Sequence, residues 1–346
     1  MDEKQKEIEE YKRKKAVRNL IVILLFSILL LVSFVVSMNT GYAKLSPLDT
    51  LRTLLGGGNS KENLILFSIR LPRIVIAVLV GAGLALSGCI IQGISRNPLA
   101  DPGLLGINAG AGLMVILFVL FFGAQSFLSV FTMPFLALVG AEISAVLTYG
   151  ISYKKQSGIA PIRLVLVGIA MQAGISSLTT LLVVKLDENQ YDFVASWQSG
   201  NIWGSNWNYV LTLLPWILIL LPYVMTKSKV LDVLHMGDDI ACGLGVPVEQ
   251  ERRKLLAASV ALAASCVAVS GSISFVGLIA PHLARRLVGP RHGILLPVCV
   301  LVGAVLVSVS DMVARVIAQP FEIPTGIMVA IVGAPYFLYL LVKSKE

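Results

Sequence analysis

The fold class this sequence predicts is all-α and membrane-integral, with about ten transmembrane helices and an inverted internal repeat. Three observations carry it. Hydrophobic residues make up 56% of the 346 and charged residues 14%, where a soluble domain of this size would carry roughly a quarter charged. The apolar residues fall in runs close to the ~20 residues that cross a bilayer as a helix. The cations are segregated: with the N-terminus inside, 21 of the 28 Lys and Arg fall in inner segments and seven in outer ones, the positive-inside pattern. The net charge of +8 is therefore a topology signal that puts both termini in the cytoplasm. It does not call for a nucleic-acid partner.

Taken in chain order, Met1–Arg18 reads as a solvated, charged helical extension of the cytoplasmic side. Residues 19–38 form the first span, too long for a signal-peptide core and followed by no small-residue cleavage site. Further spans are expected at 71–95, 104–122, 127–151, 162–186, 208–226, 255–274, 276–288, 294–316 and 324–342. The eighth is too short for a full crossing and reads as a half-helix or re-entrant segment. Residues 19–342 thus form a single transmembrane domain, with a cytoplasmic segment at 227–254 and a short tail at 343–346.

The halves echo each other. Ala85-x-Ser87-Gly88 is followed after nine residues by Pro98-Leu99-Ala100, and Ala268-x-Ser270-Gly271 after nine residues by Pro281-His282-Leu283-Ala284. Leu138-Val139-Gly140-Ala141 recurs as Leu301-Val302-Gly303-Ala304. The matched spans are the second with the seventh and the fourth with the ninth. Each pair therefore crosses in opposite directions, so spans 2–5 and 7–10 are read as inverted repeats, a plan common in transporters.

Chemistry of the chain's own is not indicated. There is no GxxxxGK[ST] loop, no HExxH and no GxSxG. The three histidines, His235, His282 and His292, read as interfacial or packing residues. Cys89, Cys242, Cys266 and Cys299 are far apart without a CxxC pair and read as packed free thiols. The expectation is no catalytic residue, no metal site and no cofactor bound by this chain. Uphill transport must then draw on an ion gradient or on a partner. Glu142 and Asp311 are the acids inside expected spans, where a carboxylate costs at least about 2.5 kcal/mol. Asp311 precedes Arg315 by four residues, which suits an i,i+4 pair. Glu142 stands alone among Gly140, Ala141 and Ser144 and reads as a packing or cavity-lining group. A secondary transporter using Glu142 as its ion site is the alternative.

Three segments stand out. Asn97–Gly112 is a Pro- and Gly-broken, partly polar stretch between two apolar runs, and irregular backbone at such a place is tolerated only where protein or a wet cavity satisfies its amides. Within 227–254, Met236–Gly245 reads as a short helix capped by Asp238 and ended by Gly243 or Gly245. Leu234, Ile240 and Leu244 are its unburied apolar knobs. Asp187–Trp207 holds Trp197, Trp203 and Trp207, which suits an interfacial aromatic belt.

The blocks Asn97–Gly112, Gly271–Leu283 and Ile323–Pro335 resemble the hallmark sequences of FecCD-type permeases, the membrane subunits of ABC importers for iron-siderophores, haem and cobalamin. The resemblance runs from Thr40-Gly41 to Val342 and leaves out the charged extension. It implies a second permease chain, two cytoplasmic ATP-binding subunits that hold ATP and magnesium, and an extracytoplasmic substrate-binding protein, all at a bacterial plasma membrane. Gly237, Asp238, Ala241, Leu244 and Gly245 match the Gly-acidic-x-x-Ala-x-x-Leu-Gly coupling helix that docks on the ATPase. Arg70, Arg73 and Arg315 match outward arginines that meet glutamates of the binding protein. Trp197-x-x-Gly200 and Trp207 look like the gate helix. Pathway or gate candidates are Asn97, Pro98, Asp101, Pro102, Glu142, Trp197, Gly200 and Pro281. Iron(III)-siderophore is the expected cargo, with haem and cobalamin as alternatives.

Overall fold

Hydrocarbon offers the backbone no partners, so a spanning segment must satisfy its own amides, and every apolar run becomes helix in the computed structural model. It describes residues 3–41, 45–123, 129–154, 158–159, 161–202, 204–319 and 321–343. Trp203, Met1, Asp2 and residues 344–346 lie outside the described residues.

The first helix, α1 (Glu3–Asn39), is continuous through the charged extension and the first span. At 1.5 Å per residue it is about 55 Å long, well beyond the ~30 Å hydrocarbon thickness. Two short helices follow that composition did not reveal. In α2 (Pro47–Leu54) Ser46 and Asp49 form a capping box with Pro47 in the first turn. The Ser46 hydroxyl and N–H, both donating to Asp49, hold its carboxyl below the usual range. In α3 (Ser60–Asn63) Asn59 and Glu62 do the same. A π-helical turn, Leu64–Arg70, then leads directly into α4 (Leu71–Ser95). Pro72 would clash with the preceding turn of an unbroken α-helix, and the wider turn before it gives its ring room.

The remaining helices are α5 (Ile107–Phe122), α6 (Ser129–Ser152), α7 (Pro161–Val183), α8 (Glu188–Gln198), α9 (Trp207–Thr226), α10 (Ser228–His235), α11 (Asp238–Gly243), α12 (Val248–Ser270), α13 (Val276–Val288), α14 (His292–Ile317) and α15 (Thr325–Lys343). Between α6 and α7 Tyr153 and Lys154 pair antiparallel with Ile159 and Gly158. Seven helices are long and apolar enough to cross a membrane, and α5 and α15 supply shorter apolar ones among the described residues. Several expected bounds move, among them the ends of the fifth and seventh spans, at Val183 and Ser270. The third span starts at Ile107 because Pro102–Leu105 is a 3-10 turn closed by left-handed Gly106. The charged stretch before residue 255 is helical, so 227–254 comprises α10, α11 and the first turns of α12. The half-helix α13 has the expected ends: Phe275 in the left-handed conformation precedes it and Gly289, φ +89, ends it.

The repeat organises the packing. The equated helices α4 and α12 form the centre, 83% and 78% buried over their most apolar windows, against 17% for α1 and 6% for α7. Contacts map between halves: α4 packs on α14 as α12 packs on α6, α5 on α6 as α13 on α14, and α4 on α13 as α12 on α5. Glycines permit the close approaches, as in other membrane bundles. A Cβ on Gly88 would run into the backbone of Gly277, one on Gly303 into Gly81, and one on Gly140 into Gly110. Gly88→Val is therefore expected to cost at least about 1–3 kcal/mol by overpacking, read as a lowered unfolding midpoint in detergent. An unchanged midpoint would refute the contact.

Candidate coupling face and polar cleft

At the end where the cations concentrate, the basic face, α4 stops because Arg96 takes a left-handed conformation, φ 53. The chain then folds back under α13. Asn97 Oδ1 accepts from the Leu99 N–H at 2.9 Å, and Asp101 Oδ1 from the Gly103 N–H at 2.7 Å. Asp101 and Pro102 lie on Gly277: a Cβ there would sit 2.9 Å from Asp101 Oδ2 and 3.1 Å from the proline ring. Pro281 is buried further along α13. Pro98 is exposed at the surface.

The helix α11 sits against this turn. Gly237, φ +121, occupies its N-cap, which corrects the expectation that Asp238 caps it. Asp238 is the first helical residue, and its carboxylate is taken by two arginines. Arg96 donates to Oδ1, and Arg252 Nη2 donates to both oxygens at 2.8 and 2.9 Å. One carboxylate thus ties α11 to the end of α4 and the start of α12, the two central helices of the repeats. At the other end Gly245 is left-handed, its N–H bonds to the Cys242 carbonyl, and the Val246 N–H to that of Ala241, the two bonds of a Schellman motif. Ala241 is buried, whereas Ile240 and Leu244 are 52% and 62% exposed, as is Met236 at 64%. Leu234, expected as an open knob, is buried instead.

On the opposite face the structure corrects a second expectation. Arg70, Arg73 and Arg315 do not present free guanidinium groups; all three are buried. Arg73 bonds Asp311 Oδ1 at 2.9 Å and Glu322 at 2.6 Å. Arg315 meets Asp311 Oδ2 at 3.2 Å and the Thr40 carbonyl at 3.1 Å, and also reaches the Ser37 hydroxyl. Arg70 donates to the Met38 carbonyl. Apolar surroundings make unpaired charge costly, so the arginines turn inward to the acids and to the carbonyls at the end of α1. The i,i+4 reading of Asp311 and Arg315 holds but is one part of a larger cluster. Cations exposed among the described residues of the connections beside it are Arg52, Lys61 and Lys185.

Three glycines join the end of α8 to the breaks before α13 and α15. The Gly326 N–H bonds the Gly200 carbonyl at 2.8 Å. A Cβ on Gly200 would lie 2.7 Å from the Ser272 carbonyl, and one on Gly271 would collide with that of Trp197. Beside this junction opens a polar cleft of about 270 Å³, lined by Asn108 and Gly112 of α5, Gln172, Ser176, Thr179 and Thr180 of α7, Trp197 and Gln198 of α8, and Ser272. The pathway candidates therefore separate. Trp197 and Gly200 adjoin the cleft, Asn97 and Pro98 follow the end of α4 at the basic face, and Asp101, Pro102 and Pro281 lie deeper, along the first half of α13. Glu142 is in neither place. It lines a separate groove of about 320 Å³ between α6 and α12, together with Tyr149 and Arg253. Sequence reasoning missed the cleft residues of α7, although 172, 176, 179 and 180 share one helical face, a polar stripe on an apolar helix.

A broken-helix bundle with an inverted repeat, a polar cleft at its helix breaks and a tethered helix on its basic face defines a membrane transport permease. A family profile described as the FecCD transport family matches residues 29–343. The chain is 47% identical to the iron(3+)-hydroxamate import system permease protein FhuG of Bacillus subtilis, over 96% of this chain and all of that one. It is 44% identical to the Fe(3+)-citrate import system permease protein YfmE of the same organism, over 95% and 96%. A solved inward-facing structure of a metal-chelate type ABC transporter superimposes with a TM-score of 0.82 at 32% identity, covering 93% of this chain and 99% of the other. The chain belongs to the FecCD transport family.

Proposed function

We propose that this chain is the permease subunit of a binding-protein-dependent ABC importer for iron(III)-siderophores, moving its cargo by alternating access. The observation that carries it is the tethered helix α11, whose exposed Ile240 and Leu244 are placed to enter a cleft on a separate ATP-hydrolysing subunit. With both termini cytoplasmic, as the cation bias indicates, α11 and the basic face stand on the ATPase side. The polar stripe of α7 is exposed in the single chain and is unsuited to lipid, which supports a second permease chain covering it and completing the path. A binding protein would dock on the opposite face, where Lys61, Lys185 and Arg52, the last already bonded to the Gly57 carbonyl, are the exposed cations; rim charges of this kind steer encounter more than they tighten it. The similarity to a hydroxamate permease favours ferric hydroxamate over haem or cobalamin.

Uptake of labelled ferric hydroxamate, ferric citrate, haem and cobalamin by iron-limited cells with and without the chain tests this. Loss of ferric hydroxamate uptake alone, resistant to collapse of the proton gradient while ATP is held up, is expected. Glu142→Gln should leave that uptake intact. Uptake that dies with the gradient, or with Glu142→Gln, would overturn the reading in favour of ion coupling.

A further inference from the structure

The basic face holds a second feature, which shares Arg96 with the tether of α11. A pocket of about 380 Å³ opens between the ends of α4, α10 and α13, lined by Gln92, Arg96, His235, His282, Arg285 and Arg286. None of its lining residues is an acid. Arg96 is engaged by Asp238, but Arg285 and Arg286 form no ion pair among the described residues. The nearby acids are committed elsewhere: Asp232 to His292 at 2.7 Å and Asp238 to Arg96 and Arg252. Among the described residues Arg285 donates through Nη1 to the side-chain Oε1 of Gln92, at 3.5 Å. Its Nη2, and Nε2 of His282, are buried without a hydrogen-bond partner among the described residues.

Helix geometry explains part of this and not the rest. Arg285 and Arg286 lie in the last turn of α13, where the helix dipole supplies about half a negative charge. Two full positive charges exceed that half charge, although Arg286 is exposed to solvent, and Lys15 brings a third to the same helix end, near Gly289. A buried guanidinium nitrogen with no acceptor is costly, and an anion in the pocket would supply one.

We propose that this pocket binds a phosphate group, either free phosphate or the phosphodiester of an anionic lipid headgroup. Forked guanidinium donors match the oxygens of a phosphate. The cavity is several times larger than a monatomic anion needs and leaves room for a group attached to the phosphate. It also lies where α4 and α13 end and α14 begins, the level at which hydrocarbon gives way to headgroups and basic pockets between helices hold anionic lipids. The proposal does not depend on the transport reading.

The test uses the purified full-length chain in lipid nanodiscs. One arm compares discs of phosphatidylcholine alone with discs containing phosphatidylglycerol, and counts lipids retained on the chain by native mass spectrometry. The other titrates inorganic phosphate against chloride at constant ionic strength in phosphatidylcholine discs and follows the thermal unfolding midpoint. Wild type is expected to retain phosphatidylglycerol several-fold over phosphatidylcholine, or to gain several degrees from phosphate. A response in the first arm alone identifies a headgroup and in the second alone a free anion; either supports the site. Arg285→Gln with Arg286→Gln should abolish the response, while Arg13→Gln with Arg18→Gln, which removes equal charge from α1, should not. No preference by wild type in either arm overturns the proposal whether or not the variants fold, as does an undiminished response in the folded Arg285/Arg286 pair.

Discussion

Asp311→Ala is expected to be among the most destabilising single substitutions in this chain, at about 3–5 kcal/mol, the cost of breaking a buried ion pair from one side. Asp311 is 1% exposed, and Oδ1 accepts from Arg73 Nε at 2.9 Å and from Thr325 at 3.0 Å, while Oδ2 meets Arg315 at 3.2 Å. Its removal strands two buried guanidinium groups, one of them left with the surface residue Glu322 alone. It also frees the start of α15, because Thr325 opens that helix. The double variant Asp311→Leu with Arg73→Met should recover part of the loss, since it removes one of the two stranded cations and leaves Arg315 with the Ser37 hydroxyl and Thr40 carbonyl. Lys14→Gln makes the contrast. Its partner is Glu10, both side chains are largely exposed, and a pair so open to water contributes little to stability. Denaturant unfolding in detergent separates the cases, and an Asp311→Ala midpoint equal to that of wild type would sink the account of the cluster.

That cluster marks where the sequence stopped being informative. The spans were legible because each is set by local hydropathy: α13 was read with its observed ends, and the equivalence of α4 with α12 followed from small residues at matching depths. Gly245 was legible as a helix end because left-handed backbone is a local property of glycine. The arginines were not. Arg70 and Arg73 look the same in sequence whether they face water or Asp311, and Asp311 and Glu322 lie 238 and 249 positions from Arg73. Asp238 was misread for a similar reason. An acid at a helix start is a good cap, but Arg96 and Arg252 compete for it as charged donors, which a backbone N–H does not match. The cleft could have been found. Gln172, Ser176, Thr179 and Thr180 were visible as polar residues in an apolar run, and their shared face was the signal.

The carboxylate of Asp238 gives the sharpest functional test. On the proposed reading, Asp238→Ala should cut uptake about tenfold or more, equivalent to ~1.4 kcal/mol of coupling, while leaving the chain folded and the ATPase bound. Stability should fall less than for Asp311: Asp238 is 44% exposed as a side chain, and Arg252, 9% exposed, keeps Glu249 at 3.7 Å. The ATPase should stay bound because Ile240 and Leu244, not Asp238, form the exposed knobs of α11. What is lost is the tie from α11 to Arg96 of α4 and Arg252 of α12, through which displacement of α11 would reach both repeats. ATP hydrolysis in the reconstituted complex should therefore persist while transport falls. Ile240→Ala with Leu244→Ala should instead reduce both together by weakening assembly. Asp238→Glu, which keeps the charge, should retain most of the uptake. Loss of hydrolysis and transport in parallel in Asp238→Ala would place the residue in docking rather than transmission. Wild-type uptake in that variant would remove the tether from the mechanism.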